Sequence, residues 1–354
     1  VIRVLVVEDS LTMRHHLRAS LERDPDLEVV GEAVDGQSAV EACARLRPDV
    51  VTMDIMLPGM NGLAATEHIM AETPTPILVV SSADRHELFT TYDALAAGAV
   101  DVLEKPHGDD SDATWGQRLC YAVRLVSRIR VITHPRARLD GRRRETLPVP
   151  AVLPEPSSPL SVIAVGASTG GPGAITQLLR ALPSSVDTPV LVVQHIAASE
   201  PFAVAFSDWL GGNLDRPVAY ARDGQSLAAA TGRVVLAPPD RHLTVEHGVL
   251  RLGDGPPRHS CRPAVDNLFE SVAREAGATA AGCLLTGMGR DGAAGLLALR
   301  RAGAVTFAQD EASSIVYGMP REAALLGAAA HVLSPEQMAR RLADLAPHRL
   351  ARRP

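Results

Sequence analysis

Two sets of side chains in this sequence have the types and placement to do chemistry. Glu8, Asp9 and Asp54 stand at the ends of the apolar runs Val4–Val7 and Asp49–Met53. Three carboxylates gathered at strand ends form a site for Mg²⁺, which takes oxygen ligands and keeps several waters. Ser81 and Lys105 follow two further runs, Ile77–Val80 and Val100–Leu103. A hydroxyl and an ammonium there would offset the charge of a phosphoryl group arriving on Asp54, because an aspartate attacks an anionic donor poorly unless that charge is neutralised. Lys105 is the only lysine in the chain, the other 34 basic residues of its 35 being arginines. A compact ammonium is not replaced by a planar guanidinium at a crowded phosphate site.

The second set is Ser168, His195 and Asp291. Gly166-Ala-Ser-Thr-Gly170 follows the apolar run Ser161–Val165 and precedes a helical stretch. The pattern fits G-x-S-x-G, a sharp strand-to-helix turn that exposes a serine. It equally fits a glycine-rich turn that cradles phosphate at a helix N-terminus. True G-x-G-x-x-G spacing is absent, and no ribose-binding acid ends the next strand, which weakens a dinucleotide site. A serine becomes a nucleophile only when a base removes its proton and a third group orients that base. His195 ends the next run, Val190–Gln194, and Asp291 lies in a second glycine-rich turn, Thr286-Gly-Met-Gly-Arg-Asp-Gly292. Asp291 also suits the N-cap of the helix that follows, and both roles remain open. The order serine, histidine, aspartate differs from that of α/β-hydrolases, so that fold is not implied.

The elements that must hold these groups alternate. Met13–Arg23, Gln37–Leu46 and Leu63–Glu72 read as amphipathic helices between the first strands, and a last helix runs from about Thr114 to Val131. Strands alternating with helices of this length imply βαβ units and a parallel sheet. From Leu160 the alternation resumes, with strands Ser161–Val165, Pro189–Gln194, Arg233–Ala237, Ala281–Thr286 and Ala304–Ala308. Helices are expected over Gly173–Leu182, Ala264–Ala276 and Ala293–Ala302, and Thr244–Leu252, broken at His247-Gly248, reads as an inserted β-hairpin. The expected domains are therefore residues 1–131, a Pro/Arg-rich linker over 132–159 with no periodicity, and residues 160–349. Both domains are expected to be α/β, the second doubly wound with a mostly parallel sheet.

Charge is unevenly spread within the net −6 of the chain. Residues 1–108 hold 8 Lys/Arg against 18 Asp/Glu, residues 109–160 hold 9 against 6, and the remainder holds 18 against 17. Neither lobe has the basic face of a nucleic-acid binder, and no helix-turn-helix pattern stands out. No apolar run has the length to span a bilayer and no cleavage signal opens the chain, so a cytoplasmic protein not inserted in membrane is expected. The four cysteines, Cys43, Cys120, Cys261 and Cys283, lack C-x-x-C spacing and read as free thiols, and no clustered metal ligands show in the second domain.

Val4-Leu-Val-Val-Glu-Asp-Ser10, Met53-Asp54 with Pro58 and Gly62, and Lys105-Pro106 resemble a response-regulator receiver domain over about residues 1–130. The resemblance implies a flavodoxin-like fold, phosphorylation of Asp54 by a histidine kinase, and Mg²⁺ held by Glu8, Asp9 and Asp54. Downstream, Ala167-Ser-Thr-Gly-Gly-Pro172, Gln194-His195, Pro263-Ala-Val-Asp266, Leu285-Thr-Gly-Met-Gly289, Asp291-Gly292 and Ala308-Gln-Asp-Glu311 are similar to the chemotaxis protein-glutamate methylesterase (CheB) family over roughly 161–335. This second resemblance implies hydrolysis of glutamyl methyl esters, with deamidation of glutamines, on the cytoplasmic helices of methylated chemoreceptors. It makes Ser168 the nucleophile, His195 the general base and Asp291 its orienting partner. Met288 becomes a contributor to the oxyanion hole through its backbone N–H, with Thr169 beside the nucleophile. The esterase is expected to need no cofactor and to be activated by phosphorylation of Asp54. A scaffold output would have no use for Ser168, His195 and Asp291 together.

Overall fold

A computed structural model describes residues 1–82, 84–106, 112–129, 131, 159–196 and 200–347. The expected linker lies outside the described residues apart from Pro159. The chain divides into two compact units, Val1–Leu139 and Asp140–Pro354.

The first unit runs β1 (Ile2–Val7), α1 (Leu11–Leu21), β2 (Leu27–Ala33), α2 (Gly36–Leu46), β3 (Val50–Asp54), α3 (Gly62–Glu72), β4 (Ile77–Ser81), α4 (Arg85–Ala97), β5 (Asp101–Glu104) and α5 (Asp112–Ser127). Its sheet has the order β2-β1-β3-β4-β5, and every pairing is parallel. This is the flavodoxin-like winding, with its switch point between β1 and β3. Both β3 and β4 are buried at every position, as strands covered by helices on two faces must be. Three helices start on side-chain caps: Ser10, Asp35 and Asn61 accept from the backbone N–H of Met13, Ser38 and Ala64. No apolar run marks strand β2 in the sequence, since it is an edge strand with mixed burial and carries Gly31 and two glutamates. Helix α5 ends at Ser127 and not at Val131.

The second unit runs β6 (Val162–Ala167), α6 (Gly171–Ala181), β7 (Val190–Gln194), α7 (Glu200–Gly212), β8 (Val218–Tyr220), β9 (Val234–Leu236), β10 (His242–Glu246), β11 (Val249–Gly253) and α8 (Val265–Glu275). It continues through β12 (Ala280–Leu284), α9 (Ala293–Arg301), β13 (Val305–Gln309), α10 (Met319–Leu325), β14 (His331–Leu333) and α11 (Pro335–Leu345). Its sheet has the order β14-β13-β12-β6-β7-β9-β8, again parallel throughout. The chain enters at β6, winds outward through β7, then returns to β12 on the other side, so the switch point lies between β6 and β12. The hairpin β10-β11 stands apart as an antiparallel pair, as the break at His247-Gly248 predicts. It packs on α8: Val245 N–H donates to Ser271 Oγ at 3.0 Å. The core is built from Ala, Val, Leu and Ile with few aromatics, among them Phe269 and Phe307. Helices α7, α10 and α11 and strands β8 and β14 were not anticipated. Pro201 near the start of α7 and two closing glycines mask its helical pattern, and β8 and β14 are three-residue edge strands.

Candidate active site

In the first unit, β1 and β3 deliver their carboxylates side by side because Val7 is in register with Met53. One oxygen from each of Glu8, Asp9 and Asp54 lies within 4.8 Å of the others. Gly62 permits this packing, since a Cβ there would stand 2.0 Å from the Asp54 carbonyl oxygen. Lys105 Nζ sits 3.0 Å from Asp54 Oδ1 and 3.1 Å from Glu8 Oε2. Burial, then the Asp54 charge, push the Glu8 carboxyl up to about 7 against the pull of Lys105. Burial acts to lower the Lys105 ammonium, but Asp54 and Glu8 outweigh it and hold it above its ordinary value. The set fits a hard divalent cation, because every donor is a carboxylate oxygen and the crowding that raises Glu8 is what a bound cation offsets.

Ser81 is at the expected strand end, but its hydroxyl does not join that cluster. It donates toward Glu87 Oε2 at 3.2 Å and accepts from Thr91 Oγ1 at 2.9 Å, both on α4. The sheet still couples the two places, since Lys105 N–H donates to the Ser81 carbonyl at 2.8 Å.

In the second unit, Ala167 ends β6 opposite Gln194, which ends β7. Ser168 and His195 are therefore the next residues on neighbouring parallel strands. Four hydrogen bonds fix the turn. His195 N–H donates to the Ala167 carbonyl at 3.0 Å. Gln194 Nε2 donates to the Ser168 carbonyl at 2.9 Å and to the His195 carbonyl at 2.8 Å. Ser168 N–H donates to the Thr286 carbonyl at 3.0 Å. Gly170 follows with φ +76, a left-handed conformation natural to glycine, and opens α6.

Across the switch point, β12 brings in the segment that holds Met288 and Asp291. Gly287 lies against the serine: a Cβ there would be 2.7 Å from Ser168 Cβ and 2.3 Å from Met319 Sδ. Thr286 Oγ1 donates to the Thr169 carbonyl at 2.9 Å. Met288 is half-buried just beyond.

Asp291 is buried and does not cap its own helix. Gly292 is the N-cap of α9, with φ +87. The Asp291 carboxylate instead caps α8 from outside: Val265 N–H donates to Oδ2 at 2.7 Å and Asp266 N–H to Oδ1 at 3.0 Å. His195 Nε2 donates to the same Oδ2 at 2.9 Å. The two openings left by sequence thus resolve into one carboxylate serving His195 and a different helix. Burial acts to lower the His195 imidazole, but its hydrogen bond to Asp291 and the neighbouring Cys261 raise it to about 9. Burial acts to raise the Asp291 carboxyl, but His195 and the two helix N–H groups hold it below its ordinary value. The Ser168 hydroxyl makes no hydrogen bond among the described residues; such bonds often form only with substrate.

Sequence reasoning missed Cys261. Its donor atom lies within 4.8 Å of those of His195 and Asp291, although the residue is far from both in the chain. The expectation that the second domain shows no clustered metal ligands is thereby corrected: the cluster forms only on folding. All four cysteines are free thiols, as expected. Among the described residues no helix is long and apolar enough to cross a membrane.

Comparison with known proteins identifies both units. Residues 163–342 match the family model described as CheB methylesterase, and residues 4–112 match that of the response regulator receiver domain. A protein-glutamate methylesterase/protein-glutamine glutaminase of Nitrosospira multiformis is 43% identical over 98% of each chain. One from Geobacter metallireducens is 43% identical, over 98% of this chain and 99% of its own. The crystal structure of the Thermotoga maritima CheB methylesterase catalytic domain covers 53% of this chain and 99% of its own, with 29% identity and a TM-score of 0.50.

Proposed function

From the premise that this chain belongs to the CheB methylesterase family, we propose that it hydrolyses side-chain methyl esters of glutamate on chemoreceptor helices through a Ser168 acyl-enzyme, under control of Asp54 phosphorylation. It is a protein-glutamate methylesterase/protein-glutamine glutaminase with a receiver domain. The observation that supports the mechanism best is the Asp291–His195 hydrogen bond beside the Ser168 turn.

With Nε2 given to Asp291, Nδ1 is the nitrogen left to take the serine proton. Ser168 Oγ attacks the ester carbonyl carbon as its proton passes to His195. The imidazolium so formed faces a carboxylate whose two backbone donors keep it ionised, so charge separation is met by a fixed partner. The backbone N–H of Met288, in the segment packed on Ser168, would meet the oxyanion. The C–O bond to methanol breaks, and His195 returns the proton to the leaving oxygen. Water then adds to the acyl-enzyme with His195 again as base, releasing the glutamate carboxylate and regenerating Ser168. A glutamine side chain would follow the same course with ammonia leaving.

In the receiver, Mg²⁺ would be held by Glu8, Asp9 and Asp54 and would draw negative charge from the phosphoryl donor. Lys105 holds Asp54 oriented and supplies the second positive charge. Ser81 reports the change to α4 through its bonds to Glu87 and Thr91. A histidine kinase is the phosphodonor that this chemistry suits.

The decisive test is methanol release from methylated receptor membranes, with and without a phosphodonor and Mg²⁺. Release should vanish in Ser168→Ala and lose its phosphodonor stimulation in Asp54→Ala. Absence of release by the phosphorylated wild type, with receptors shown to be methylated, would remove the proposed substrate.

A further inference from the structure

Three segments separated in sequence bring unlike donors to one point: the end of β7 supplies the His195 ring, the loop after β12 the Asp291 carboxylate, and residues 258–261 the Cys261 thiol. These donor atoms lie within 4.8 Å of one another. The thiol is presented by a tight turn closed by paired backbone hydrogen bonds between Arg258 and Cys261, at 2.9 and 3.0 Å. Both central residues of that turn, His259 (φ +51) and Ser260 (φ +63), are non-glycine residues in the left-handed region. Such backbone costs energy and persists where the surroundings enforce it. The thiol donates a long hydrogen bond, 3.5 Å, to the His259 carbonyl.

We propose that Cys261, His195 and Asp291 form a binding site for a thiophilic divalent cation of the Zn²⁺ class, and that occupancy inhibits the esterase by taking its general base. Sulfur, imidazole nitrogen and carboxylate oxygen are the three donor types Zn²⁺ prefers, and three protein ligands leave a fourth position for water. With bonds of about 2.0–2.3 Å, a tetrahedral ion holds its ligands roughly 3.5 Å apart. The Asp291–His195 contact of 2.9 Å would open by about half an ångström, and the wider gaps, none above 4.8 Å, would close by at most about 1.3 Å. Binding exchanges protons for metal: the Cys261 thiol loses its proton, and His195 gives up the one it shares with Asp291.

A second cluster nearby, His259 with Asp266 and Asp291, does not compete. Arg258 stands 3.4 Å from Asp266 Oδ2, and Arg290 Nε donates to His259 Nδ1 at 3.4 Å, so guanidinium groups already occupy it. It also lacks sulfur. Mg²⁺ and Ca²⁺ are disfavoured at the proposed site by the thiol and imidazole. The site stands on convergence of donors alone, whereas its inhibition of the esterase rests on the proposed function.

The test is titration of the full chain with Co²⁺, followed by displacement with Zn²⁺. With excess Mg²⁺ present to fill the receiver carboxylates, wild type should develop a near-ultraviolet thiolate-to-cobalt charge-transfer band that saturates at about one equivalent and is erased by Zn²⁺. Cobalt on the receiver carboxylates has only oxygen ligands and gives no such band. The band should disappear in Cys261→Ser and weaken at least tenfold in apparent affinity in His195→Gln, in which the thiol remains. Cys120→Ser, which alters another incompletely buried thiol, should behave as wild type. Methanol release should be inhibited by Zn²⁺ in wild type and at least tenfold less sensitively in Cys261→Ser. Absence of the band in wild type, or its persistence in Cys261→Ser, overturns the proposal, whatever the esterase assay shows.

Discussion

Asp291 Oδ2 accepts from His195 Nε2 at 2.9 Å while the same carboxylate is held by the N-terminal N–H groups of α8 at 2.7 and 3.0 Å. Three donors converge on one side chain, so only a full carboxylate satisfies them. Asp291→Asn must turn an NH₂ group toward at least one donor. Its kcat for methanol release should fall about 10³–10⁴-fold. Unfolding should show a loss of about 1–3 kcal/mol, because a buried N–H is left unpaired. A variant with near wild-type kcat would remove Asp291 from the mechanism.

In the proposed mechanism His195 must be unprotonated to take the Ser168 proton, and this sets the pH dependence. Burial works against protonation, but Asp291 and Cys261 lift the imidazole to about 9 from its ordinary 6.5. Activity should therefore rise with pH and level off only above about 9. The stabilising His195–Asp291 attraction has the opposite trend: it is complete below pH 6.5 and lost as pH climbs through about 9. In Asp291→Asn the residual activity should titrate at lower pH. A kcat/KM profile flat between pH 6 and 10 contradicts this assignment.

Gln194 ties the Ser168 and His195 turns through one amide nitrogen. Gln194→Leu keeps the bulk and removes both donations. Its kcat should drop about tenfold or more with KM little changed, since the damage is to alignment. An equal rise in KM would place Gln194 in substrate binding.

Gly287 is where the loop after β12 touches the Ser168 turn. Gly287→Ala would drive its Cβ into Met319 Sδ at 2.3 Å and Ser168 Cβ at 2.7 Å. Thermal melting should occur several degrees lower, and methanol release should fall further than folding loss explains. Wild-type values for both would show that the two segments can separate freely.

Lys105 spans Asp54 and Glu8 at 3.0 and 3.1 Å. Lys105→Arg keeps the charge but not the shape, and phosphoryl uptake from a small-molecule phosphodonor should slow roughly tenfold or more. Asp54→Asn should take up none, and chelation of Mg²⁺ should abolish uptake by wild type. Uptake persisting in Asp54→Asn would move the phosphorylation site elsewhere.

Much of this protein was legible in its residues. Period and turn chemistry gave two parallel α/β units and the hairpin at His247-Gly248, because strands buried on both faces read as unbroken apolar runs. Glu8, Asp54, Lys105, Ser168 and His195 were legible because each lies at or shortly beyond the carboxyl end of a strand, where α/β folds place ligands. Short edge strands such as β8 and β14 were not, since they bury little and carry no period. Strand order was decided by tertiary structure alone. The return of the chain to β12 beside β6 is what sets Gly287 against Ser168 and Asp291 against His195. So too with Cys261, which no spacing connects to His195. Local sequence fixes what each segment tends to become, but contacts between distant segments depend on how the sheet is wound, and that is a property of the packed whole.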